Sequence, residues 1–204
     1  VRPDTGLPNY FIARTREGVY PANSGPWVAN AAGMPRGSIV STAEAATSPP
    51  TIHALTAGGL HSSPDGMLTW SRRTMPVGAT FGGNQDALVV DSANPTTLYV
   101  ATQSHGILKS VNGGNSFAPV NVGLAANLEG ADALVSISRV NPNVLFAALR
   151  YGGHADGRLY RSANGGVAWA DITANIGATG AATRIRSIAT DPTDVNTLYL
   201  VTAD

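Results

Sequence analysis

No cysteine occurs in the 204-residue chain, so neither disulfides nor thiolate chemistry is available to it. Charge is scarce as well, with 13 Lys and Arg, 13 Asp and Glu, and a net charge of zero. A surface built for nucleic acid would show a basic excess, so no nucleic-acid partner is expected. No run of 18 apolar residues is present, and membrane insertion is not expected. Helical patterning is missing too: no segment keeps apolar residues at i, i+3, i+4 and i+7. No charged-then-apolar leader precedes Val1, so a signal peptide is read as absent from this chain. Low lysine content and abundant Ala, Gly, Ser and Thr point to a secreted or periplasmic bacterial protein. With 43% hydrophobic residues, the chain does not read as disordered.

What is present is a repeated hairpin. Ser162-Ala163-Asn164-Gly165-Gly166-Val167-Ala168-Trp169 follows Gly157-Arg158-Leu159-Tyr160-Arg161. Ser110-Val111-Asn112-Gly113-Gly114-Asn115-Ser116-Phe117 repeats it after Gly106-Ile107-Leu108-Lys109. A looser copy runs from Ser63 through Asp65 and Met67 to Trp70, and a worn one from Gly18 to Trp27. Asn-Gly and Gly-Gly supply the positive-φ residues that tight two-strand turns demand. The Asp or Asn accepts amide bonds within its own turn. The aromatic that follows (Trp27, Trp70, Phe117 or Trp169) is expected to be buried between neighbouring units.

A second marker lies upstream of each hairpin. Its clear copies are Asp91-Ser92-Ala93-Asn94-Pro95 leading to Leu98-Tyr99-Val100-Ala101-Thr102, then residues 138–149 and 191–202, with fainter ones at 4–15 and 45–56. Apolar runs at 87–90, 134–137 and 185–189 precede the clear copies. Each unit is therefore four short strands. The residues ending strand two are Thr15, Thr56, Thr102, Leu149 and Thr202, spaced by 41, 46, 47 and 53 positions. Four strands per such interval is the period of a β-propeller blade. The expected fold is an all-β propeller of four-stranded antiparallel blades, about four to five repeats in a single domain. The repeats run approximately over 1–37, 38–82, 83–127, 128–181 and, partially, 182–204.

These residues resemble the Asp-box, or BNR, repeat of the sialidase-like propellers, Ser-x-Asp-x-Gly-x-Thr-Trp. Ser110, Asn112, Gly114 and Phe117 fit it, as do Ser162, Asn164, Gly166 and Trp169. Ser63, Asp65 and Trp70 fit with Met67 in the glycine slot. The Leu-Tyr-Val-Ala-Thr segments further resemble the branch that holds xyloglucanases and sortilin-type receptors. The resemblance implies that these boxes are structural and face away from any active site.

Antiparallel connectivity sorts the loops onto two rims. Turns from strand one to two and from three to four share one rim and are repetitive. Loops from two to three, and from four to the next unit, share the other and vary, which is where function concentrates. There Arg150, Tyr151, His154 and Asp156 crowd into one long loop, with His105 in its counterpart, as candidate ligand-binding residues. Arg16 and Arg186 are candidates on the same rim. Arg16-Glu17 stands where the resemblance places Asp-x of a xyloglucanase segment whose Asp is catalytic, and arginine is no acid or base near neutral pH. Glu17, Asp86 and Asp132 are the remaining catalytic candidates. The bland reading of Asp86 and Asp132 is that they cap the entry of an inner strand. Arg184-Ile185-Arg186 does not make the sialidase Arg-Ile-Pro motif, and other nucleophile, phosphate and zinc signatures are missing. No cofactor or metal is expected.

The first repeat starts late and the last stops early, so a larger propeller or a ring closed by another chain is expected. A second propeller lobe or a separate chain is the partner that completes it. Two functions fit: an exported module that binds or assembles with a polysaccharide or protein through the variable rim, or part of a xyloglucanase-like glycoside hydrolase with an incomplete catalytic set.

Overall fold

A computed structural model describes residues 11–15, 18–22, 33, 38–82, 86–125, 132–150, 157–176 and 184–203. Among the described residues, sixteen strands form five antiparallel sheets. Strands β1 (Phe11–Thr15) and β2 (Gly18–Ala22) make a two-stranded pair. The next sheet holds β3 (Ile39–Ala45), β4 (Thr51–Thr56), β5 (Gly59–Ser63) and β6 (Ser71–Arg72) in sequence order. It is followed by β7 (Leu88–Val90), β8 (Leu98–Ala101), β9 (Ile107–Ser110) and β10 (Ala118–Pro119). The fourth sheet holds β11 (Asp132–Ile137), β12 (Leu145–Arg150), β13 (Gly157–Ser162) and β14 (Ala170–Asp171). Strands β15 (Arg184–Thr190) and β16 (Leu198–Ala203) pair as the last sheet. Among the described residues, the one helical element is a 3-10 turn, Thr173–Ile176.

The first strands of successive sheets lie side by side, β3 against β7, β7 against β11 and β11 against β15. They converge because each brings buried apolar residues to the contact: Ile39 and Val40 of β3, Leu88 of β7, Leu134 and Val135 of β11, and Ile185 and Ile188 of β15. The second and third strands supply most of the remaining core, with Leu98, Val100, Ile107, Leu108, Leu145 and Leu149 almost fully sequestered. Burying a side chain of this size contributes about 1.5–3 kcal/mol, and here the sheets share the benefit by packing face on face.

The hairpin serines explain why the third-to-fourth turns recur. Ser63, Ser110 and Ser162 each donate a hydroxyl hydrogen bond to a turn carboxylate or amide oxygen, to Asp65 at 2.7 Å and to Asn112 and Asn164 at 2.9 Å. The same hydroxyls accept an amide hydrogen bond from the residue four positions on: Met67 at 2.8 Å, Gly114 at 2.9 Å and Gly166 at 3.0 Å. The Asp or Asn then accepts the amide of Thr69, Ser116 or Ala168. This geometry needs two consecutive left-handed residues, which Gly165 and Gly166 supply at φ 67° and 85°. In the first of the three turns Met67 takes the second place at φ 71°. Its side chain is only 1% exposed. Burial of the thioether chain, about 2–3 kcal/mol, outweighs the roughly 1 kcal/mol cost of the left-handed backbone.

Sheet-to-sheet contacts run through the same turns. The Trp169 indole donates to the Val120 carbonyl at 2.7 Å and its amide to Val122 at 2.8 Å, tying the fourth sheet to the third. Gly123 is obligatory here: a Cβ on it would lie 2.1 Å from the Trp169 carbonyl oxygen. Gly33 meets Trp70 in the same way. Trp70 and Trp169 are both buried and Phe117 is half-buried, in keeping with the bolting role expected of them.

Candidate functional site

The two rims differ in what holds them. On the turn rim, Asp91 accepts the amides of Ala93 and Asn94, and Asp191 those of Thr193 and Asp194. The amides of Gly113 and Gly165 reach Thr96 and Asn143 of the strand-one-to-two turns, so both classes of turn interlock on one rim. Hydrogen bonds from the Thr69 hydroxyl, the Thr69 amide and Ser63 hold the Asp65 carboxyl down at about 2. Every carboxylate named on this rim is engaged by its own turn.

The loop rim carries a cleft of about 440 Å³ between the Gly58–Gly59 turn and the segment 72–81. It falls in the size range of small-ligand sites. Met75 and Phe81 pack their inner faces on the core and floor it. Arg72 stands at its edge, donating from Nη2 to the Gly58 carbonyl at 2.9 Å. Arg73 lies beside it and reaches Asn115 of the following sheet at 2.8 Å, while its Nε is buried without a partner. Val77 projects from the lip, 97% exposed. No Asp, Glu or His is among the residues that line the cleft.

The 73–82 segment is shaped by contacts distant in sequence. The Ser104 hydroxyl donates to the Gly78 carbonyl at 3.0 Å and accepts from the Thr80 amide at 3.0 Å. The Gln103 amide donates to the Thr80 carbonyl at 2.9 Å. His105 Nδ1 sits 2.8 Å from the same Ser104 oxygen. That hydroxyl has one proton, and Gly78 receives it, so Nδ1–H of His105 is the donor to the Ser104 oxygen.

His105 is thus brought to the wall behind the cleft. Asp86 is placed elsewhere, at the inner end of the third unit. Its carboxylate accepts the Ser187 hydroxyl at 2.5 Å and the Ile188 amide at 3.1 Å. These partners lie on β15 next to a bulge between Ile185 and Ser187, which leaves Arg186 exposed. Asp86 therefore ties the segment that leads into β7 to β15, two sheets further on. Arg16, Glu17, Tyr151, His154 and Asp156 lie outside the described residues, as do the side chains of Asp132 and Arg150. Asp171 pairs with Arg158 at 2.7 Å on the surface and also receives the Thr173 hydroxyl. Among the described residues, no group of three or more His, Asp or Glu is placed to hold a metal.

No family model matches the chain, and no curated protein matches it by sequence. Solved structures do. The GH74 xyloglucanase from Xanthomonas campestris superposes with a TM-score of 0.72 at 19% identity, over 95% of this chain and 32% of that one. YCF48 bound to D1 peptide gives 0.64 at 13% identity, over 97% of this chain and 60% of that one. The extracellular domain of the one-component system BT4673 from B. thetaiotaomicron gives 0.65 at 14%, over 95% and 24%. The chain thus spans about a third of the xyloglucanase and three-fifths of YCF48. Together the sheets, their order and these likenesses define the fold as a β-propeller, with each four-stranded sheet a blade.

Proposed function

We propose that the chain is a binding module of an exported propeller, recognising a glycan or protein segment through its loop rim. The observation that carries this reading is the cleft beside Arg72, with an apolar floor, arginine edges and no acidic lining. Such a site suits a ligand with carboxylate or hydroxyl oxygens on an otherwise apolar face, since the guanidinium fork matches planar oxygen pairs. Arg150, Tyr151, His154, Asp156, Arg16 and Arg186 are the further rim residues offered to the same ligand. The Ser-x-Asp/Asn turns of the opposite rim are read as Asp-boxes whose work is structural. Likeness to YCF48 with a bound peptide and to GH74 enzymes supports a ligand-binding propeller, without naming the ligand of this chain.

The second reading, part of a glycoside hydrolase, needs two carboxylates facing a sugar. Asp86 is already occupied by Ser187 and Ile188, which leaves Glu17 and Asp132 to supply both. The test is an array carrying uronic-acid oligosaccharides, neutral β-glucans and acidic peptides. Binding to a carboxylated class, weakened about tenfold or more in Arg72→Ala, is the expected result. Hydrolysis of xyloglucan that is lost in Glu17→Gln and Asp132→Asn would instead establish the enzyme.

A further inference from the structure

Two of the three Ser-x-Asn/Asp turns place an asparagine directly before a glycine, as Asn112-Gly113 and Asn164-Gly165. With no side chain, the glycine leaves its nitrogen open to approach the asparagine Cγ and expel the side-chain amide. The two turns share their backbone. At Gly113 and Gly165 φ is 68° and 67°, and each glycine amide donates at 2.8 Å to a neighbouring turn, at Thr96 and Asn143. In both, the side-chain oxygen accepts a serine hydroxyl and the amide four residues on. Those donors also sit where negative charge would form on that oxygen during attack. Any difference in fate comes from what else surrounds the pair.

Asn112 is pinned twice more. Its Nδ2 donates to the Ser116 hydroxyl at 2.9 Å, and the Asn115 side chain donates to its main-chain carbonyl at 2.8 Å. Both bonds resist the turning of side chain and peptide plane that brings the glycine nitrogen onto Cγ. In the fourth sheet the same positions are Ala168 and Val167, which have no hydroxyl or amide side chain to offer. Among the described residues nothing holds Asn164 Nδ2, and Asn164 is exposed to water.

The second difference is charge. Lys109 Nζ donates to the Gly165 carbonyl at 2.9 Å and would lie 3.4 Å from a Cβ built on that glycine. An ammonium so placed favours the deprotonated glycine nitrogen, which is the attacking species. A Cβ on Gly113 would meet nothing within 4 Å.

We infer that Asn164 is a modification site, converting spontaneously to aspartate ahead of Asn112 in the folded chain. The Gly165 nitrogen gives its proton to water and bonds to Asn164 Cγ. The Cγ–Nδ2 bond breaks, and ammonia leaves with a proton from solvent. Water then opens the cyclic imide at Cγ, restoring the main chain and leaving a carboxylate. The turn has a place for that product. Asp65 holds the same position in the second sheet, where it takes the Ser63 hydroxyl at 2.7 Å and the Thr69 amide at 3.0 Å. Conversion thus adds one negative charge to a chain of net charge zero and keeps the turn closed.

The test incubates the whole folded chain in mildly alkaline buffer and follows residues 112 and 164 by peptide mass analysis, beside a chain held unfolded in denaturant. Folded, Asn164 should convert about fivefold or more faster than Asn112, and unfolded the two rates should converge. Ala168→Ser, which restores the missing hydroxyl, and Lys109→Met should each slow conversion at Asn164 by about threefold or more. Ser116→Ala should speed it at Asn112. Equal or reversed rates in the folded chain would overturn the inference. So would a rate at Asn164 that neither Ala168→Ser nor Lys109→Met moves. A converted chain that melts as early as Asn164→Ala would overturn the fit of aspartate to the turn.

Discussion

The turn rim and the loop rim are built from the same blades, yet they hold themselves in opposite ways. On the turn rim each Ser and Asp or Asn closes bonds within five residues, three times over, as in Ser110, Asn112 and Gly114. On the loop rim the cleft depends on Ser104, which grips Gly78 and Thr80 from the neighbouring blade. Local closure makes a turn self-sufficient and repeatable. Distant closure frees an exposed residue such as Val77 to vary without unfolding the blade.

That contrast can be broken most severely at the blade seam. Trp169→Ala removes a buried indole and its bond to Val120, and Gly123→Ala forces a methyl onto the Trp169 carbonyl. Each should cost about 3–5 kcal/mol, read as a lowered midpoint in denaturant. Next comes acid. His53 occupies the strand-two position of Tyr99, where burial and then Arg73 push its pKa down to about 4, and Ser62 lies 2.7 Å from Nδ1. Between 6.5 and 4 the unfolded chain takes up the proton and the folded chain refuses it. Stability is therefore whole above pH 6.5 and falls by up to about 3 kcal/mol as pH drops to 4. His61, also pushed down by burial, acts in the same direction. Denaturation midpoints measured across this window should slope, and His53→Phe should flatten much of the slope.

Smaller effects sharpen the comparison. Asn164→Ala leaves the Ala168 amide and the Ser162 hydroxyl without their acceptor and should cost about 1–2 kcal/mol in thermal or denaturant melts. Met67→Gly relieves the left-handed backbone but empties a buried site, so a net loss of about 1–2 kcal/mol is expected. On the loop rim, Val77→Ala should change stability by less than about 0.5 kcal/mol.

The same contrast explains what could be read from the chain. Gly113-Gly114 and Gly165-Gly166 announce their turns in adjacent letters, and the Leu-Tyr-Val-Ala type strands announce theirs, so the propeller was legible. His105 was visible as a loop-rim residue. Arg72 and Arg73 were not, because nothing local marks them: their site exists only after a segment folds onto Ser104, some 24 residues away. The partners of Asp86 were hidden for the same reason, lying 101 and 102 residues downstream. The inner-strand amide that Asp86 accepts belongs to β15 rather than to its own strand β7.

The central claim is that binding and stability are separated between the rims. The direct measurement is a paired titration and melt of Arg72→Ala and Asn164→Ala with the carboxylated oligosaccharide or acidic peptide selected by the array. Arg72→Ala should lose about tenfold or more in affinity with an unchanged melting midpoint, while Asn164→Ala melts earlier and binds as before at a temperature where it stays folded. Affinity lost in Asn164→Ala and kept in Arg72→Ala would contradict the account.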